Sequence, residues 1–179
     1  MVWLGAAILI ASFELALSEP LAATPAEACL AINRDLSLGA RLPRTSARLK
    51  SSERLSIVAV GSSSTVGLWV LRSGATYPEV MRAELVRLRS NAAIEMVNSG
   101  RVGDTIERNV ARFQRDVLSH KPDLVVWQLG TNDVAWGGHP DEQLKDRVLQ
   151  GVKMLKASGA DVILMDLQYA PVVLASPYY

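Results

Sequence analysis

From Leu55 onward the hydrophobic positions switch back and forth between two patterns. Ile57–Gly61 is a continuous run of apolar residues and glycine, with two valines and an isoleucine. That is the composition of a strand covered on both faces in a parallel sheet. Tyr77–Leu88 instead spaces Val80, Leu85 and Leu88 among Arg and Glu, as a helix with one buried side does. The alternation then repeats. A strand over Ala93–Asn98 precedes a helix over Thr105–Leu118, where Ile106, Val110, Phe113 and Val117 form an i, i+4, i+7, i+11 stripe. Pro122 breaks the chain ahead of a third strand, Leu124–Leu129. Asp141–Ala157 is helical, with Leu144, Val148, Val152 and Leu155 along one side and Gly159 placed to stop it. Val162–Leu167 is the fourth strand. With strand one at Leu55–Val60, this order makes βαβ units with right-handed crossovers and helices on both faces. The expected fold is α/β, a three-layer flavodoxin-like sandwich around a parallel sheet.

The ends of the chain do not follow that alternation. Val2–Phe13 carries no charge; it is too short for a helix that spans a bilayer but matches the apolar region of an export signal. No Lys or Arg precedes it, and the alternative is a packed or unstructured N-terminal segment. Residues 1–28 are read as an export segment, giving a periplasmic or extracellular protein; without it the protein is cytoplasmic. Residues 29–54, basic and serine-rich from Arg41 and interrupted by Pro43, are read as an irregular lead-in, and residues 55–179 as the layered domain. After Leu167 the pattern stops. Gln168–Tyr179 contains Pro171 and Pro177 and neither a fifth strand nor a closing helix, so the domain is expected to lack a C-terminal strand and helix.

Composition narrows the partners. With 179 residues, 49% apolar and 21% charged, the chain can bury the core of one domain. A net charge of +1 gives no reason to expect nucleic acid or an anionic membrane as partner, and no stretch makes a stable membrane span. Cys29 is the single cysteine, and the two histidines, His120 and His139, form no cluster at metal-binding spacing. No cofactor or metal is expected.

The candidate chemistry lies where strand one ends, in Gly61-Ser62-Ser63-Ser64-Thr65-Val66-Gly67. A small nucleophile there stands where open α/β sheets bind ligands; the alternative is a Ser/Gly-rich turn. Three familiar motifs fail on these residues. A phosphate-binding loop requires Gly-Lys where Val66-Gly67 and then Leu68 stand; a dinucleotide fingerprint requires glycine at Ser63; a nucleophile elbow requires glycine at Thr65. Strand two runs into Asn98-Ser99-Gly100-Arg101-Val102-Gly103-Asp104-Thr105, and strand three into Gly130-Thr131-Asn132-Asp133. Gly103 can present an unobstructed backbone N–H, Asp104 or Thr105 can cap the next helix, and the Asn132 amide is a neutral donor. These are the groups an acyl-transfer oxyanion needs. Taken singly, Gly103 reads as a turn glycine and Asn132-Asp133 as an Asx turn.

The three segments together, each at the end of a strand, resemble the first three blocks of the SGNH (GDSL-type) hydrolases over roughly Leu55 to Tyr169. Ser62 stands where that family has aspartate. The resemblance implies Ser63 as nucleophile and oxyanion donor through its N–H, Gly103 as second donor and Asn132 as third, acting on a small-molecule ester. The family's last block, Asp-x-x-His, supplies the base, and no Asp-x-x-His occurs here. His120 belongs to the opposite edge of the sheet, and His139 follows Gly137-Gly138 on the side of the motifs. The expectation is a serine esterase whose 179 residues alone turn over little or no ester; the alternative is a non-catalytic pseudoenzyme or binding domain. Trp127 is expected in the core. Trp69 and Trp136 follow the motif loops and line either an acyl pocket or ordinary packing; Tyr169 and Pro171 are expected to serve packing.

Overall fold

The apolar runs pair side by side in one parallel sheet. The computed structural model describes residues 40–51, 53–68, 70, 74–136, 142–167 and 171–176, and Arg41–Tyr179 cluster as one compact unit. Its strands are β1 (Leu55–Gly61), β2 (Ile94–Gly100), β3 (Leu124–Gln128) and β4 (Asp161–Met165). They lie in the order β2-β1-β3-β4 and every pairing is parallel. The chain therefore winds outward from β1 to β2, then reverses to place β3 on the other side of β1. In such sheets a crevice opens at the carboxyl ends of the strands where the order reverses.

Side-chain alternation along β1 sorts the helices into two layers. Val58 and Val60 face one way, into a cluster with Val125 and Trp127 of β3. Ile106 and Phe113 of α4 (Ile106–Asp116) and Leu155 of α6 (Glu142–Ala157) close that side. Leu55 and Ile57 face the other way, with Ile94, Leu124 and Val126. Tyr77, Met81 and Leu85 of α3 (Tyr77–Leu88) and Leu49 of α1 (Pro43–Ser51) cover them. Trp127 is fully buried, as expected of a core residue, and meets the Phe113 ring edge to face at 4.9 Å. Helices on both faces of a parallel sheet are the three-layer α/β sandwich that the alternation predicts.

The lead-in is a correction to the expected irregular stretch. Pro43 opens α1 rather than breaking it, because a first-turn proline gives up an N–H that has no helical partner anyway. The helix is fastened by its polar side. Thr45 donates from N and Oγ1 to Asp161 at 2.8 and 2.9 Å, while Arg44 and Arg48 reach Asp123 at 2.7 and 3.1 Å. Asp123 also accepts from the Ser56 N–H at 3.0 Å. Burial works to raise the Asp123 carboxyl, but the Ser56 N–H and the two guanidiniums outweigh it and hold it below the ordinary value.

Three short helices also went unread in the pattern: α2 (Ser63–Val66), α5 (Thr131–Trp136) and α7 (Pro171–Leu174). Each is too short to show a hydrophobic period. In α7, Pro171 again starts a turn; Val173 is buried and Ser176 donates to the Val134 carbonyl of α5 at 3.1 Å. The segment expected to hold no helix beyond β4 thus contains one helical turn. Residues 1–28 with the export reading, Cys29, Trp69, His139 and Tyr169 lie outside the described residues.

Candidate active site

The three motif segments become the upper walls of one cavity of about 580 Å³, lined by Ser63, Val102, Gly103, Thr105, Arg108, Asn132 and Trp136. Ser63, Gly103 and Asn132 come from three separate loops, after β1, β2 and β3, yet meet in this space. Trp136 stands at the rim with 76% of its surface exposed.

The loop after β1 is held from below. β1 reaches Gly61 fully buried, where a Cβ would lie 2.3 Å from Thr65 Oγ1 and 2.9 Å from the Gln128 carbonyl, so only glycine fits. Buried Gln128 then clamps the turn. Its Oε1 accepts from the Ser62 N–H and Ser62 Oγ, each at 3.0 Å, and its Nε2 donates to Thr131 Oγ1 at 3.1 Å. Ser62, the departure from the family pattern, is buried and spends its hydroxyl on this clamp. Thr65 is buried beside it, 3.3 Å from the Tyr77 hydroxyl, and burial holds the Tyr77 phenol above its ordinary value. Ser63, half-buried, is left as the first residue of α2, facing the cavity.

The second wall is organised by Asp104. Its carboxylate accepts from Arg112 Nε at 2.7 Å and from Asn109 Nδ2 at 2.8 Å; Asn109 Oδ1 in turn accepts from the Trp127 indole at 2.9 Å. Arg112 is 6% exposed and also donates to Ser99 Oγ at 2.8 Å and to the Gly61 carbonyl at 3.3 Å. One guanidinium thus ties the ends of β1 and β2 to the loop between β2 and α4. Because Asp104 is engaged there, Thr105 caps α4, accepting from the Arg108 N–H at 3.4 Å. Gly103 sits at φ 76° just before, a left-handed conformation that favours glycine.

The third wall is joined to the second. Asn132 Nδ2 donates to the Asp104 carbonyl at 2.8 Å, which orients the amide and leaves its other N–H for the cavity. Asp133 is buried and accepts the Ile106 N–H, the first of α4, at 3.2 Å with both oxygens. Burial raises its carboxyl above the ordinary value, and the Ile106 N–H only partly offsets that. The side-chain bonds of Asn132 and Asp133 among the described residues therefore run to the loop and helix after β2. Among the described residues, no acceptor engages the Ser63 or Gly103 backbone N–H. Ser63, Gly103 and Asn132, which line the cavity, thus keep hydrogen-bonding capacity unused among the described residues.

His120 ends the short 3₁₀ turn Leu118–His120 and its carbonyl accepts from Ser56 Oγ near the start of β1, at the opposite end of the sheet. It does not border the cavity. The pattern along the chain missed Gln128, Arg108 and Arg112. The first had a visible signal, a polar residue inside an otherwise apolar strand. Arg112 had a weaker one: it falls six residues after Ile106, on the border of the apolar stripe.

A doubly wound parallel sheet thus carries a serine, a glycine and an asparagine gathered at one cavity above its switch point. The chain belongs to the non-GDSL lipase-like family, whose model matches residues 28–177, within the SGNH (GDSL)-type esterases. A curated arylesterase of Vibrio mimicus is 28% identical over 126 residues, 70% of this chain and 60% of its own length. The esterase TesA of Pseudomonas aeruginosa is 36% identical over 76 residues, covering 42% of this chain and 37% of its own. Among solved structures, AlinE4, an SGNH-hydrolase family esterase, superposes with a TM-score of 0.57 at 27% identity, covering 70% of this chain and 65% of its own. The chain thus spans 60% or less of these two curated relatives.

Proposed function

We propose that the complete protein hydrolyses carboxylic esters of small molecules, with Ser63 as nucleophile and the Ser63 N–H, the Gly103 N–H and the Asn132 amide as oxyanion donors. The observation that carries this reading is the meeting of those three residues in one cavity at the carboxyl ends of adjacent strands. Family membership and the esterase relatives support it. Ser63 Oγ attacks the ester carbonyl carbon while its proton passes to a base. The resulting oxyanion takes hydrogen bonds from donors that need no reorientation, and the alcohol leaves with the proton. Water then attacks the acyl-serine, releasing the acid and restoring the hydroxyl. Each donor is expected to contribute about 3 kcal/mol of transition-state stabilisation.

The base comes from beyond the described residues. A histidine held by a carboxylate fills this role in serine hydrolases, and none of the described residues lining the cavity is a histidine. Ser63→Ala in the complete protein is expected to lower kcat for a p-nitrophenyl ester by about a thousandfold or more, with an unchanged melting temperature. Undiminished turnover in that variant refutes the assignment. The second reading, a non-catalytic binding domain, is motivated by Ser62 in the family's aspartate position. It predicts no esterase activity from a complete protein that folds. Export by way of residues 1–28 belongs to the same proposal; N-terminal sequencing of the mature protein tests it.

A further inference from the structure

Among the described residues, the cavity wall carries a positive charge with no carboxylate beside it in the lining. Arg108, on the exposed first turns of α4, lines the space together with Ser63 and Asn132. Its Nη1 donates to the Gly103 carbonyl at 3.2 Å, which holds the guanidinium beside the loop that provides the Gly103 N–H. The other arginines of this helix are neutralised. Arg112 holds Asp104 at 2.7 Å, and Arg115 holds Asp116 at 2.5 Å. The next acid along the helix from Arg108, Glu107, is taken by Arg147. Among the described residues Arg108 has no ion-pair partner, and no carboxylate lines the cavity. Beyond the bond to Gly103, the guanidinium keeps N–H groups that can fork onto a carboxylate. Lining the same cavity, the Trp136 indole, 76% exposed, offers a flat apolar surface for the body of a ligand.

We propose that Arg108 makes this site selective for esters that carry a carboxylate group, in the acyl or the alcohol part, within reach of the guanidinium. The inference rests on the proposed ester hydrolysis at Ser63. It concerns which esters are taken, and so it is separable from whether any are. An exposed charge contact is weakened by solvent, so the discrimination is expected to be about fivefold to tenfold in kcat/KM.

The test compares matched pairs of esters in the complete protein. On the acyl side these are p-nitrophenyl glutarate and p-nitrophenyl pentanoate; on the alcohol side, 4-acetoxybenzoate and 4-acetoxybenzamide. The readout is the ratio of kcat/KM, charged over neutral. In at least one pair, Arg108→Gln lowers that ratio about fivefold to tenfold, Arg108→Lys restores part of it, and Arg108→Glu lowers it further. Added salt lowers the ratio in the wild type and leaves it flat in Arg108→Gln. A ratio that Arg108→Gln and Arg108→Glu leave unchanged in both pairs overturns the assignment. Ser63→Ala separates the two proposals, because it removes turnover of both members of each pair if Ser63 is the nucleophile. An unchanged ratio with an inactive Ser63→Ala variant sinks the Arg108 inference alone. A readout independent of turnover is titration with glutarate while following the Trp136 indole N–H resonance. A shift lost in Arg108→Gln supports the site, and no shift in the wild type counts against it.

Discussion

At both ends of the sheet, carboxylates meet arginines and backbone N–H groups, yet the two ends are built to opposite purposes. At the amino end, Asp123 takes Arg44, Arg48 and the Ser56 N–H, and Asp161 takes both donors of Thr45. Those groups close on one another and fasten α1 beneath the sheet. At the carboxyl end, the same kind of chemistry stops one step short of closure. Asp104 and Asp133 are satisfied from within, by Arg112, Asn109 and the Ile106 N–H. The layer above them, Ser63, Gly103 and Asn132, is left with capacity facing a cavity. A closed polar cluster serves stability; a supported but open one is what a reacting group requires, because donors must be aimed before charge develops.

Substitutions break this contrast in order of size. Arg112→Ala removes one partner of a buried ion pair and strands Asp104, and is expected to cost about 3 kcal/mol or more by urea unfolding, with loss of activity as the loops loosen. Asn132→Ala should separate the layers cleanly. It is expected to lower kcat about a hundredfold while costing only about 1 kcal/mol of stability, the latter for the bond to Asp104. Asp123→Asn at the far end should do the reverse, lowering stability by about 1–2 kcal/mol and leaving kcat/KM unchanged. A loss of turnover in Asp123→Asn without unfolding would erase the distinction between the two ends.

The smallest effect is a pH dependence. The Arg115 contact, backed by the charges of Arg101 and Arg112, holds the Asp116 carboxyl down at about 2, against an ordinary 3.8. A depressed carboxyl stabilises the fold above its unfolded value and loses that contribution as pH falls from 3.8 toward 2. Asp116→Asn should therefore flatten that part of the acid-unfolding curve, by less than about 1 kcal/mol because its partners Arg115 and Arg101 are exposed to solvent.

The layered fold was legible because long strands and helices repeat a period often enough to be read, and the four strands begin and end within about two residues of their expected limits. Ser63, Gly103 and Asn132, which line the cavity, stood out for a different reason, since each lies in a segment that follows a strand readable from the pattern. What escaped was short or depended on distance in space. The four-residue turns α2 and α7 have no period, and Pro43 and Pro171 read as breaks because proline both ends and begins helices. The expected choice between Asp104 and Thr105 as cap was settled by Arg112, eight residues away on the next helix face. Gln128 shows its role only when Ser62, 66 positions earlier in the chain, comes to lie beside it.

Asp133 gives the site a mechanical property. Its carboxylate, carried by the short helix after β3, is seated on the opening N–H of the helix that follows β2, while Asn132 grips the peptide just upstream. Two jaws that belong to different crossovers are thereby riveted at two points. A ligand wedging against either one displaces both, and amide exchange at Ile106 and Val134 should slow together when the cavity fills.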